Sequence, residues 1–234
     1  MKRIIATAVL AAALVAGGGF LFSQSRTQTT VTGTEFSLPA TDLATTDLAG
    51  AANAQSATSE PPVVQDMILG NPDAPIEVIE YASYTCPHCA SFHSGAYKQL
   101  KEDYIDTGKI KFVYREVYFD KYGMWASMIA RCEPAKFFGI TEVIYAEQSD
   151  WTRAGSDAAI ADALRKVGLR AGVDKDALEG CLRDGDKLRA LVGWFQENAE
   201  RDGIRSTPSF LINGELYSNM AYSEFASILD GALN

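Results

Sequence analysis

The chain has 234 residues, 47% of them hydrophobic, with 30 acidic against 21 basic side chains and a net charge of −9 at pH 7. That length suffices for one domain with a substantial core. The acidity argues against a nucleic-acid partner and favours solubility, but says little about fold.

At the start, Lys2-Arg3 precedes Ile4–Phe22, a stretch without a single charge. A basic start and an apolar run read as an export signal. The run is long enough to span a bilayer, yet Gly17-Gly18-Gly19 interrupts it and Ser23-Gln24-Ser25 offers a small-residue cleavage site. Residues 1–25 are therefore an export signal or a retained N-terminal membrane anchor, with no nearby cysteine to carry a lipid. Either way the rest of the chain is expected outside the cytoplasm, where an active-site disulfide persists. Residues 26–62 are rich in Thr, Ala, Ser, Gln and Gly, repeat Thr-Asp-Leu-Ala at 41–44 and 46–49, and nearly lack aromatics. Such a stretch buries too little surface to fold alone and reads as a linker.

Ile76–Ser83 is the first expected strand. Glu80 interrupts its apolar pattern and, with period two, shares a face with Ile76, Val78 and Ala82. That position either buries the carboxylate beneath the site or turns it to solvent. The strand leads into Cys86-Pro87-His88-Cys89, and Ala90–Lys101 reads as a helix. A strand delivering a C-x-x-C to a helix start is the arrangement of a dithiol redox site. Pro87 suits the first helical turn, where its missing N–H costs nothing. Cys86 then meets the positive end of the helix, which favours a thiolate, and a protonated His88 favours the same form. Cys89, three residues on, lies on the same face within disulfide reach and would resolve what Cys86 attacks. Competing readings are weaker: haem attachment needs His at position 90, which is Ala, and zinc needs four ligands. A purely structural disulfide between residues three apart is uncommon. No metal and no cofactor is called for.

Ile110–Tyr118 is the second strand, completing a βαβ unit. Helical periodicity then marks Met124–Cys132, Lys136–Glu147, Asp157–Val167, Lys175–Leu182 and Lys187–Arg201, punctuated by Gly168, Gly172 and Gly185, with Asp174 as an N-cap. Cys132 and Cys181 fall in this helical stretch; in an exported chain they pair as a structural disulfide or remain as two buried thiols. Tyr118, Phe119, Met124, Trp125 and Met128 either line an apolar groove or pack between helices. His93 reads as a packing or solvent-facing residue. Ser209–Ile212 and Glu215–Tyr217 flank Asn213-Gly214, a hairpin signal, and a last helix runs from Ser223 to Leu233.

Val78-Ile79-Glu80-Tyr81 leading into Cys86-Pro87-His88-Cys89, with Ser206-Thr207-Pro208-Ser209-Phe210 near the end, resembles the DsbA-like periplasmic thiol-disulfide oxidoreductases over residues 63–234. The resemblance implies an α/β fold: a thioredoxin-like core with a large helical insertion at about residues 120–202. It matches Glu80, six positions before Cys86, to the family's acidic residue, a proton acceptor for Cys89. It also places a cis Pro208 beside the dithiol, with the Thr207 backbone free to pair with a substrate strand. The implied activity is a thiol oxidase donating the Cys86–Cys89 disulfide to reduced or unfolded exported polypeptides. It would be periplasmic, soluble or tethered, monomeric, and reoxidised by a membrane partner of the DsbB type. Thr207 departs from the Val usual in the oxidising branch and is more typical of isomerase relatives. A disulfide isomerase or reductase is thus the alternative, and a chaperone-like binder of unfolded chains the reading outside this chemistry. Isomerases of this type resemble V-shaped dimers joined by a folded N-terminal module. Nothing before Pro62 has a strand pattern to build one.

Overall fold

A computed structural model describes residues 62–234; the export signal or anchor, and the linker with its repeat up to residue 61, lie outside the described residues. The sheet is built on Ile76–Ala82 (β2), preceded by a short strand, Met67–Gly70 (β1), and joined by Ile110–Glu116 (β3), Ser209–Ile212 (β4) and Glu215–Ser218 (β5). Its spatial order is β1-β3-β2-β4-β5. β2 and β3 are parallel, from Ile76↔Ile110 to Ala82↔Glu116, and the other three pairings are antiparallel. The parallel pair requires a helical crossover, which the βαβ pattern anticipated. β1 was missed in the sequence, where four residues carry too little alternation to signal a strand. Val117 and Tyr118, expected in β3, lie beyond its end.

Period two divides β2 between two apolar layers. Ile76, Val78 and Ala82 join the main core, whereas Ile79 and Tyr81 face a smaller cluster with Val113, Val117 and Leu211. Asn213 and Gly214, with φ of 49° and 84°, close the two-residue β4–β5 hairpin.

The helix expected at Ala90–Lys101 is broken. Pro87–Ser94 (α1) ends at Gly95, whose ψ of −95° leaves helical geometry. Ala96–Leu100 (α2) restarts it and passes into one wide turn, Lys101–Ile105. Between β3 and β4 stand Lys121–Ala130 (α3), Phe137–Ala146 (α4), Gln148–Thr152 (α5), Asp157–Arg170 (α6), Lys175–Arg183 (α7) and Gly185–Arg201 (α8). Asp120, Ser156, Asp174 and Asp184 cap α3, α6, α7 and α8 by accepting from first-turn N–H groups. Gly185, expected to separate helices, is the first residue of α8, because Asp184 supplies the cap. Tyr222–Leu233 (α9) completes the fold. Among the described residues no helix is long and apolar enough to cross a membrane.

Two links tie the helical layer together. Glu116, at the end of β3 and 1% exposed, accepts from Arg131 Nε and Nη2 at 2.6 and 2.7 Å. The guanidinium also lies over the Phe137 and Trp194 rings, so one charge pair joins β3, α3, α4 and α8. The second link is covalent: Cys132, just past α3, is bonded to Cys181 in α7, 49 residues away. Chain entropy gives a loop of that size about 4 kcal/mol as an upper figure. Replacing both cysteines by Ala should therefore lower the melting temperature by up to about 10 °C, read by circular dichroism. Peptide oxidation by the remaining pair should stay largely intact.

Candidate active site

β2 ends in the turn Ser83–Thr85, which hands the chain to α1. Cys86 is the N-cap, with extended backbone (φ −82°, ψ 119°), and Pro87 occupies the first helical position. The turn is clamped from the helical layer: Gln148 Nε2 donates to the carbonyls of Tyr84 and Cys86 at 2.8 and 2.9 Å. Sequence reasoning missed Gln148, which sits in a five-residue helix with no periodic signal of its own. Asp120 adds a tie from the other side, accepting from Thr85 Oγ1 at 2.7 Å.

Cys86 and Cys89 are separate thiols in this structure, the first half-buried and the second fully buried. The Cys89 thiol is the main influence holding Cys86 down to about pKa 5, against the opposing effect of half-burial. The Thr207 hydroxyl and the first-turn N–H groups of Cys89 and His88 act in the same direction. His88 thus contributes its main chain, while its ring is exposed. Burial, followed by the neighbouring Cys86 sulfur and the charge of Glu80, pushes the Cys89 thiol far above the ordinary range. One sulfur is poised to ionise and the other to hold its proton.

Thr207 and Pro208 come to this sulfur through β4. Tyr81 on β2 pairs with Ser209, so the residues just before β4 lie level with the end of β2. The Thr207–Pro208 peptide is cis, and the Cys86 thiol donates to the Thr207 carbonyl at 3.4 Å. Pro208 is buried, and Thr207 is partly exposed beside Cys86.

Glu80 has no exposed surface and lies among the main core residues, so the solvent-facing alternative does not hold. Its carboxylate meets His93 Nε2 at 3.1 and 3.0 Å. His93 was expected to pack or to face water. It lies on the buried face of α1, stacked on Tyr145 at 4.2 Å, because spacing from Cys89 put it one turn further along that face. Cys132 and Cys181 stand apart from this group. The apolar residues at the edge of the insertion divide: Met128 is buried, Tyr118 bonds Ser127 and packs on Phe195, and Phe119 is 61% exposed. No cluster of three or more metal-ligating side chains occurs among the described residues.

Comparison with known proteins places this geometry. A family model described as Thioredoxin matches residues 63–231. A putative protein-disulfide oxidoreductase of Rickettsia bellii is 34% identical over 170 residues, 72% of this chain and 64% of the relative. The chain thus spans less than two thirds of the length of the curated relatives it matches first. Among solved structures, alpha-DsbA1 of Wolbachia pipientis matches with a TM-score of 0.66 and 26% identity, over 74% of this chain and 92% of that one. A protein-disulfide isomerase of Novosphingobium aromaticivorans matches with a TM-score of 0.65 and 26% identity, over 72% and 97%.

Alkylation of the reduced full chain should separate the two sulfurs. Cys86 should react with a midpoint near pH 5, while Cys89 stays unreactive throughout the neutral range. Equal labelling of both at pH 6 would contradict the asymmetry. The folded value of Cys86 lies below that of an unfolded thiol, about 8.5. Its contribution to the stability of the reduced form is therefore complete above the unfolded value and lost as pH falls through about 5. Melting of the reduced protein against Cys86→Ser across that window reads the loss.

Proposed function

The chain belongs to the thioredoxin family, and from that membership we propose that it is an exported thiol-disulfide oxidoreductase acting mainly as an oxidase. The observation that carries the reading is the pairing of a half-exposed Cys86 held near pKa 5 with a buried Cys89. Stabilising the Cys86 thiolate stabilises the reduced protein, which makes the Cys86–Cys89 disulfide a better oxidant of other thiols.

A substrate thiolate attacks Cys86 Sγ of the oxidised protein. The Cys86–Cys89 bond breaks, a mixed disulfide forms on Cys86, and Cys89 leaves with the electron pair and takes a proton. A second substrate thiolate then attacks the substrate sulfur of the mixed disulfide, and Cys86 leaves as its stabilised thiolate. The substrate dithiol has lost two electrons and two protons, and the protein has gained the two electrons. Glu80, whose charge bears on the Cys89 thiol, is the acceptor and donor of its proton. The exposed edge at Thr207, ahead of β4, suits an extended substrate segment pairing with its backbone.

The substrates are reduced or unfolded polypeptides met outside the cytoplasm, in the periplasm, as the basic and apolar residues 1–25 suggest. Reoxidation falls to a membrane partner of the DsbB type, which the resemblance of the Cys-Pro-His-Cys motif supports. The protein works as a monomer. An isomerase is the second reading, favoured by Thr207 and by the likeness to the Novosphingobium protein.

The two readings part on substrate choice. The oxidised full chain should rapidly oxidise a reduced peptide with two cysteines and poorly rescue a scrambled multi-disulfide protein. Efficient rescue of the scrambled substrate would favour the isomerase. Full biological activity in Cys86→Ser would instead favour a chaperone-like binder.

A further inference from the structure

The Glu80–His93 pair borders open space. His93 is 6% exposed, yet it lines a cleft of about 720 Å³ between α1, α2 and α4. Nε2 faces the Glu80 carboxylate, and Nδ1 has no hydrogen-bond partner among the described residues. A buried ring nitrogen without a partner is uncommon and asks for one from the adjoining space.

We propose that His93 is a positioning and relay residue that carries the Cys89 proton, through Glu80, between the buried sulfur and solvent in this cleft. The inference rests on thiol-disulfide exchange at Cys86–Cys89 and holds for oxidase or isomerase alike. When Cys89 leaves the disulfide, a proton enters at Nδ1, the Nε2 proton passes to Glu80, and Glu80 gives its proton to the Cys89 sulfur. The ring is left neutral with its proton on Nδ1. When Cys89 next attacks a mixed disulfide on Cys86, its proton returns through Glu80 to Nε2, and the Nδ1 proton departs to the cleft. The two half-cycles reset each other, and no ring rotation is needed.

Chemistry makes such a route useful. A sulfur so reluctant to be a thiolate is a poor leaving group unless it is protonated as it departs. Surrounding groups leave the task to this pair. Facing the ring are Glu80 from β2, Tyr97 from α2, Tyr114 from β3 and Tyr145 from α4, while Cys89 of α1 feels the Glu80 charge. Burial holds all three phenols above their ordinary range, so they stay neutral near pH 7. The other charged side chains lining the cleft are Lys98, Lys101, Glu102, Asp106, Glu142 and Glu147. Of these, Lys101 is bonded to Asp106 at 2.7 Å and Glu147 to Arg170.

The test is reduction of the Cys86–Cys89 disulfide in the full chain by dithiothreitol, read by acid quench and thiol labelling from pH 5 to 8. This step needs no natural substrate, so its outcome is separate from the peptide assay for oxidase action. His93→Ala should slow it about tenfold near pH 7, less than the roughly hundredfold or more of a direct general acid because His93 acts through Glu80. Imidazole added to that variant should restore a third or more of the lost rate and leave the unsubstituted protein unaffected. His93→Gln fills similar space and still donates to Glu80 but relays nothing, so it should remain slow with a flattened pH profile. If His93→Gln matches the unsubstituted protein, the ring merely positions Glu80 and the relay is wrong. A folded His93→Ala variant that keeps the normal rate, or that imidazole fails to rescue, overturns it equally. Should His93→Ala fail to fold, the His93→Gln profile decides.

Discussion

Everything at the site depends on the register of β2. It is hydrogen-bonded on both edges, to β3 and to β4, and its last residues point the chain into α1. Pairing Tyr81 with Ser209 is what brings Thr207 beside Cys86. A slip of one residue would turn Glu80 out of the core and carry Thr207 away from the sulfur, because side chains in a strand alternate faces. The large apolar residues on both faces of β2 therefore guard the chemistry as well as the fold. Burying Ile76, Val78, Ile79 and Tyr81 holds the register that the site requires.

Two buried carboxylates in neighbouring strands illustrate how partner choice decides role. Glu116 is met by Arg131, which never gives up its proton, and the pair acts as a fixed clamp on the helical layer. Glu80 is met by an imidazole, which can hold one proton or two. Removing one partner of either pair would leave an uncompensated buried charge or an unsatisfied polar group, a costly defect. The second pair is the one whose charge bears on the Cys89 thiol.

Local chemistry made much of this legible. Cys86-Pro87-His88-Cys89 announces itself because proline and two thiols at that spacing suit a helix start. Glu80 stands out as a charge in an apolar run, and Asn213-Gly214 demands a tight hairpin. Signals that need distance in space were invisible. The pairing of Glu80 with His93 joins two elements, and His93 looked unremarkable within the helix expected at Ala90–Lys101. Gly95 stopping α1 could not be told from a tolerated helical glycine. β1 and α5 are too short for periodicity to register. Gln148, whose two hydrogen bonds shape the turn at Cys86, belongs to one of these short pieces.

That last contact bears on modularity. The thioredoxin-like sheet and the helical layer look like a core and an attachment, separable at the ends of β3 and β4. Gln148 makes them interdependent, because the carbonyls that shape the nucleophile's turn are satisfied by a side chain from the attachment. A grafted or pared-down version keeping only the sheet, α1, α2 and α9 would retain both thiols yet leave those carbonyls to water. The helical layer is thus part of the scaffold of the dithiol, and its sequence cannot drift or be exchanged as an independent cassette.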